Sequence, residues 1–236
     1  MQALAPSFDK VCGLVVTSGC LFTLWDAYTE GRAPLVGQIA ASTVVPKSRN
    51  ALLSAQHRHD LSKNGYVVID GFLKPHEVLD ARRSIEHNSH RFKPSPNQKV
   101  GDSVRSDCVY WEKESNEDVS ITAIRHKLHD LARELDKDMY IPESMQVSKY
   151  EDSSYYESHL DTCTDSMMEL GLLGYLRSAY LRCRYRTCIV YLNDFYETSH
   201  GGCLRISSGN HEEIEPIGGR LVIFDSAIIW HAVLAS

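Results

Sequence analysis

A mainly β fold with flanking helices, arranged as a sandwich or barrel, is what the order of patterns along the chain predicts. Helical periodicity ends near residue 138, and after Pro142 the chain reads mostly as short strand, turn, short strand. The length of 236 residues suits one large domain, or one domain with a short extra segment. Hydrophobic residues at 43% and charged residues at 24% supply a core and exclude wholesale disorder. A net charge of −6 gives no electrostatic footprint for wrapping nucleic acid or an anionic membrane, so neither is expected as a partner.

Residues 1–50 read apart from the rest. Residues 11–25 form a mostly apolar run of 15, shorter than the roughly 20 that a membrane-spanning helix needs. Lys10 just upstream is balanced by Asp9, and no cleavage signal is clear. The expectation for 1–50 is therefore an N-terminal extension: a signal or anchor, or a packed or disordered segment, with 31–49 as linker. The domain is expected over 51–236.

Residues 51–64 suit a short helix, which Gly65 is placed to end. GYVVIDGFL (65–73) is a compact β-rich run, and Pro75 then starts a second helix reaching about His90. Residues 93–101 hold two prolines and few apolar side chains, so they read as loop, and 103–111 as strand. The clearest helix is 118–138: Ile124, Leu128, Leu131 and Leu135 fall at i, i+4, i+7 and i+11, one apolar stripe for the core. Strands follow at 145–150, 155–161, 186–193, 201–206, 213–217 and 220–225, broken by an insertion at 162–184 that suggests a helical turn or two. Gly201-Gly202 reads as a turn that lets strands approach closely.

Seven cysteines (Cys12, Cys20, Cys108, Cys163, Cys183, Cys188 and Cys203) form an odd set with no CxxC pair. That argues against a disulfide scaffold or a zinc knuckle and favours a reducing compartment. The chemistry points elsewhere, to His159-Leu160-Asp161. On a strand, residues i and i+2 share a face, so imidazole and carboxylate converge. His231 follows 72 residues on, after an apolar strand. Two histidines and one carboxylate leave three metal positions open, the facial triad of non-haem Fe(II) oxygenases, where an oxidisable cosubstrate and O₂ must both bind. Alone, an HxD is more often a surface His and a capping Asp; here the strand-rich context and the distal His weigh against that. Other features carry less. His57 and His59 lack a partner at ligand spacing. Cys163 reads as an oxidation-prone thiol near the site or an ordinary loop thiol. The run Arg177, Arg182, Arg184 and Arg186 reads as a contact for an acidic peptide or an offset to nearby acids.

Read together, GYVVIDGFL, VRSDCVYW, KYEDSSYYESHLD, RTCIVYLN, GGCLRI, IEPIGGRLVIFDS and WHAV resemble the prolyl-4-hydroxylase-like Fe(II)/2-oxoglutarate dioxygenases, most closely the hypoxia-inducible-factor prolyl hydroxylase branch, over residues 60–236. The resemblance implies a double-stranded β-helix (jelly-roll, cupin-like) core. It makes His159, Asp161 and His231 the iron ligands, with no catalytic residue beyond them. Tyr191 matches the tyrosine that binds the distal carboxylate of 2-oxoglutarate, and Tyr150 another tyrosine of that pocket. Ile189, Leu204 and Val233 match apolar pocket positions. Each tyrosine also admits the plainer reading of a core aromatic with a satisfied hydroxyl. The activity implied is hydroxylation of a peptidyl residue, proline first, with release of succinate and CO₂. Fe(II) is the implied metal, 2-oxoglutarate and O₂ are the cosubstrates, and ascorbate is a further candidate. A monomer acting on a protein or peptide is expected, in the cytoplasm or, if residues 11–25 are a signal, in the endoplasmic reticulum or an organelle.

One departure bears on activity. The family places a basic residue shortly after the distal His to pair with the 2-oxoglutarate C5 carboxylate. This sequence ends at Ser236, five residues after His231. Three readings compete: an incomplete C-terminus, a substitute cation such as Arg186 or Arg205, or a metal-binding interaction module without turnover. A missing closing strand also predicts an unpaired sheet edge and reduced stability.

Overall fold

The computed structural model describes residues 12–20, 51–95, 104–113, 118–136, 139–142, 144–151, 153–161, 184–208 and 210–236. Three helices come early: α1 (Ala55–Asn64), α2 (Pro75–His87) and α3 (Val119–Leu135). Their ends follow local chemistry. Ser54 accepts from the His57 amide at the start of α1, and Gly65, at φ 78°, closes it in the left-handed conformation. Pro75 opens α2, as its fixed φ favours. Asp118 caps α3 by accepting from the amides of Ser120 and Ile121.

The strands are β1 (Cys12–Cys20), β2 (Tyr66–Ile69), β3 (Lys93–Pro94), β4 (Cys108–Lys113), β5 (Met139–Tyr140), β6 (Ser144–Lys149), β7 (Tyr156–His159), β8 (Arg184–Tyr191), β9 (Leu204–Ser208), β10 (Asn210–Ile214), β11 (Leu221–Asp225) and β12 (Trp230–Val233). They build two antiparallel sheets. The larger runs β2-β11-β8-β1-β6-β4-β3, with β5 on β1, and the smaller runs β10-β9-β12-β7. This is the double-stranded β-helix arrangement that was expected.

Period-two alternation gives the large sheet two buried faces. Cys188, Val190, Leu221 and Ile223 join the core under the helices, with Val78, Ile85, Ile124 and Leu128. Their neighbours Ile189, Tyr191, Val222 and Phe224 face the small sheet and pack with Leu204, Ile206 and Ile214. Ile124, Leu128 and Leu131 of the predicted stripe are each no more than 1% exposed, which makes α3 scaffold. The turn at Gly201 has φ 63°, and an added Cβ there would run into the Ala235 carbonyl oxygen, so the close approach requires glycine.

Cys12–Cys20, within the residues read as an N-terminal extension, pairs as a strand of the large sheet. The position between β8 and β6 is filled by it, so neither strand presents an edge there. The entry strand is shifted to Cys108–Lys113, and the loop after Phe92 begins as the short strand β3, paired with Cys108 and Val109. Residues 162–183 of the 162–184 insertion lie outside the described residues, and Arg184 begins β8. Among the described residues, no helix is long and apolar enough to cross a membrane.

Candidate metal centre

His159 ends β7 and His231 sits on β12, directly opposite each other in the antiparallel register. That pairing brings two residues 72 positions apart in sequence to a ring-centroid distance of 4.2 Å. Asp161 lies two residues past His159. Its Oδ1 is 3.5 Å from His159 Nε2 and 3.8 Å from His231 Nε2. One ligand atom from each residue lies within 4.8 Å of the others.

Tautomers are set by the backbone. His159 Nδ1 is 2.8 Å from the Glu157 carbonyl oxygen, and His231 Nδ1 is 3.1 Å from that of Ile229. A carbonyl only accepts, so each Nδ1 donates, and Nε2 is the ring nitrogen of each histidine turned toward Asp161. The carboxylate is held as well: the Thr187 hydroxyl donates to Asp161 Oδ2 and lies 2.9 Å from the Ser226 hydroxyl. Both rings are packed in place. Tyr156 stacks on His159 at 3.6 Å, and Phe224 lies 4.4 Å from His231. Two imidazole nitrogens and one carboxylate oxygen facing a common point are the donor set that suits Fe(II). The residues fit the metal.

The triad opens into a cavity of 270 Å³. Tyr150, Ile189, Leu204 and Val233, all anticipated, line it together with the three ligands. Tyr191 is buried beside Ile189 and Leu204 but is not part of the lining. Burial pushes the Tyr150 hydroxyl well above its ordinary pKa and raises Tyr191 likewise, so both are protonated donors at neutral pH. Arg186 pairs with Asp225 and Arg205 with Glu213, and neither lines the cavity.

The main features missed from sequence are Arg105 and Asp107. Arg105 lines the cavity and lies over the Tyr156 ring, its guanidinium carbon 4.0 Å from the centroid. Its Nε and Nη2 each donate to Asp107 at 2.6 Å, and Ser95 Oγ donates to the same carboxylate at 3.0 Å. Burial works against the Arg105 charge, but the bidentate Asp107 outweighs it and raises the pKa above the ordinary value. The one trace in the sequence is the alternation of Arg105, Asp107, Val109 and Trp111, of which Arg105, Val109 and Trp111 line the cavity. A larger groove of 640 Å³ beside Pro75, Leu79, Phe195 and Ile217 shares no lining residue with the metal cluster, and donor geometry rather than volume marks the site.

Residues 145–236 match the family model of the 2OG-Fe(II) oxygenase superfamily. Comparison with curated proteins gives no match. Among solved structures, a Pseudomonas putida prolyl-4-hydroxylase is 21% identical, covers 78% of this chain and 91% of its own, and superposes with a TM-score of 0.59. A Trichoplax adhaerens prolyl hydroxylase in complex with a hypoxia-inducible-factor oxygen degradation domain peptide fragment is 19% identical, covering 76% of this chain and 81% of its own at a TM-score of 0.55. A prolyl 4-hydroxylase from Phytophthora capsici is 20% identical, covering 78% and 58% at 0.53. Residues 145–236 thus match the 2OG-Fe(II) oxygenase superfamily model, and the fold is the one that these prolyl 4-hydroxylases share.

Proposed function

We propose that the protein is an Fe(II)- and 2-oxoglutarate-dependent dioxygenase that hydroxylates a peptidyl residue, proline first, with release of succinate and CO₂. The observation that carries this is the His159–Asp161–His231 cluster, whose Nε2 atoms and carboxylate oxygen face one point at the wall of a 270 Å³ cavity. Held by these three residues, iron would supply open positions for the 2-oxo acid group and O₂, and with them the oxidising chemistry.

The chain's own residues do the rest. The Glu157 and Ile229 carbonyls hold the Nδ1 protons, so metal binding needs no tautomer change. Thr187 fixes the Asp161 carboxylate, and Tyr156 and Phe224 hold the imidazoles and keep water from their faces. Ile189, Leu204 and Val233 form an apolar wall. The Tyr150 hydroxyl, kept protonated, donates to a cosubstrate carboxylate, and Tyr191 is assigned the same role. Trp111 lines the cavity and is 48% exposed, as is Trp230 beside His231, which gives the mouth aromatic surface for a peptide. A cytoplasmic setting is proposed from the odd cysteine count with no CxxC pair. The protein is proposed to act as a monomer.

The test is a proline-containing peptide library incubated with protein, Fe(II), 2-oxoglutarate and O₂. The expected result is a peptide gaining one oxygen on proline, with succinate formed in equal amount. Succinate with oxygen on a residue other than proline would overturn the substrate, and no succinate would overturn the activity.

A further inference from the structure

The 640 Å³ groove is lined by the start of α2, by residues 193–198 after β8, and by Glu215, Ile217 and Gly218 before β11. Backbone bonds tie these three segments together. The Gly219 amide donates to the Tyr191 carbonyl at 2.8 Å, and the Leu73 amide donates to the Gly219 carbonyl at 3.1 Å. The buried Asn193 side chain donates to the Pro216 carbonyl. The groove is therefore preformed. Its surface is both apolar and acidic. Phe195 is 66% exposed, Leu79 and Ile217 are exposed with it, and buried Val78 lies between the walls. Large apolar side chains gathered at the surface in one place mark an interaction site. Asp194, Glu197 and Glu215 line the same groove, and among the described lining residues there is no Lys, Arg or His. Arg82 pairs with Asp194 at 2.9 Å, whereas Glu197 and Glu215 have no ion-pair partner among the described residues.

We infer that this groove is a second binding site, which docks a peptide segment carrying an apolar residue flanked by Lys or Arg. The apolar side chain enters between Phe195, Leu79 and Ile217, and the flanking cations meet Glu197 and Glu215. Charge and shape select this occupant over others. A small ligand is held by enclosing walls, and here the apolar walls face water. An anionic lipid surface is repelled by the carboxylates. A second copy docked about a two-fold axis sets the same carboxylates against one another. The site is also remote from the metal cluster. From Thr187, which bonds Asp161, to Asn193 in the groove is roughly 20 Å of extended chain, and the two sites share no lining residue. A partner seated here leaves the metal cavity open, and the site does not depend on the function proposed above.

The test selects random twelve-residue peptides, displayed on phage, against the full chain, and measures the enriched peptides by fluorescence anisotropy. Enriched sequences are expected to place Leu, Ile, Phe or Trp beside two or more Lys or Arg. Phe195→Ser is expected to weaken their binding about tenfold or more. Glu197→Gln combined with Glu215→Gln is expected to weaken it about fivefold or more and to flatten its dependence on salt. Glutamine keeps the acceptor that Glu215 offers to Thr198, and Phe195 is mostly exposed, so both variants are expected to retain the parent's urea midpoint and Co(II) affinity. No enrichment, enrichment of acidic or uncharged peptides, or peptides that bind Phe195→Ser as tightly as the unaltered protein would each overturn the assignment. Self-association of the unaltered protein that Phe195→Ser abolishes would give the groove to a second copy and overturn it too.

Discussion

Asp161 owes its aim to a residue that never reaches the metal point. The Thr187 hydroxyl donates to Oδ2, and Thr187 is in turn 2.9 Å from Ser226 Oγ, both residues being buried. Thr187→Val keeps the shape and removes the donor. It is expected to lower Co(II) affinity about tenfold or more, read by titration of the cobalt absorption bands, with little change in the unfolding midpoint. Arg105 and Asp107 present the opposite balance, since their pair holds the cavity wall rather than the metal. Asp107 is 0% exposed, and Asp107→Asn strands the buried guanidinium. The expected cost is about 3–5 kcal/mol in urea unfolding. The triad was legible in the sequence because HxD on a strand is a local pattern and His231 follows an apolar strand. The Arg105–Asp107 pair was not, because two charges at i and i+2 read equally well as a solvated strand face until Ser95 and Tyr156 are packed against them.

At the scale of elements, the helices were the most legible. The stripe on α3 is a property of one segment, and Leu128 is 0% exposed in the resulting core. Leu128→Ala is expected to cost about 2–5 kcal/mol in urea unfolding, leaving the metal ligands in place. Helix and turn carboxylates also give the fold a pH dependence. The Asp70 carboxyl is lowered by its hydrogen bonds from Arg220. For Asp118, burial pushes upward, but hydrogen bonds from Ser120 and Ser84 and from the Ile121 and Ser120 amides outweigh it and lower the value. A lowered folded pKa means that the unfolded chain binds the proton more readily. The stability is therefore full above the unfolded carboxyl value near 4 and is lost as pH falls through the lowered folded one. Unfolding midpoints are expected to hold steady above about pH 5 and to fall below about pH 4, with a shallower fall in Asp118→Asn, which keeps a cap but does not titrate. Element boundaries moved by a few residues, as at β4, because strand ends are decided by partners that lie far away in the sequence.

Over the whole molecule, the two-layer plan was visible in the order of patterns, but the route of the N-terminal strand was not. An apolar run at residues 11–25 has the composition of a signal, an anchor or a strand. What selects the strand is its pairing with β6 and β8, whose residues lie far away in the sequence. The same non-local pairing joins His159 to His231, so the metal centre and the closure of the sheets depend on one another. Metal binding is accordingly expected to raise global stability, by about 2.7 kcal/mol at a hundredfold excess over the dissociation constant. The most direct measurement is an anaerobic titration of the protein with Fe(II) and then 2-oxoglutarate, followed by visible absorption. A metal-to-ligand charge-transfer band is predicted to appear on addition of 2-oxoglutarate and to be lost in His159→Ala. A band that persists unchanged in His159→Ala, or its absence from the unaltered protein, would contradict the assignment of the His159–Asp161–His231 centre.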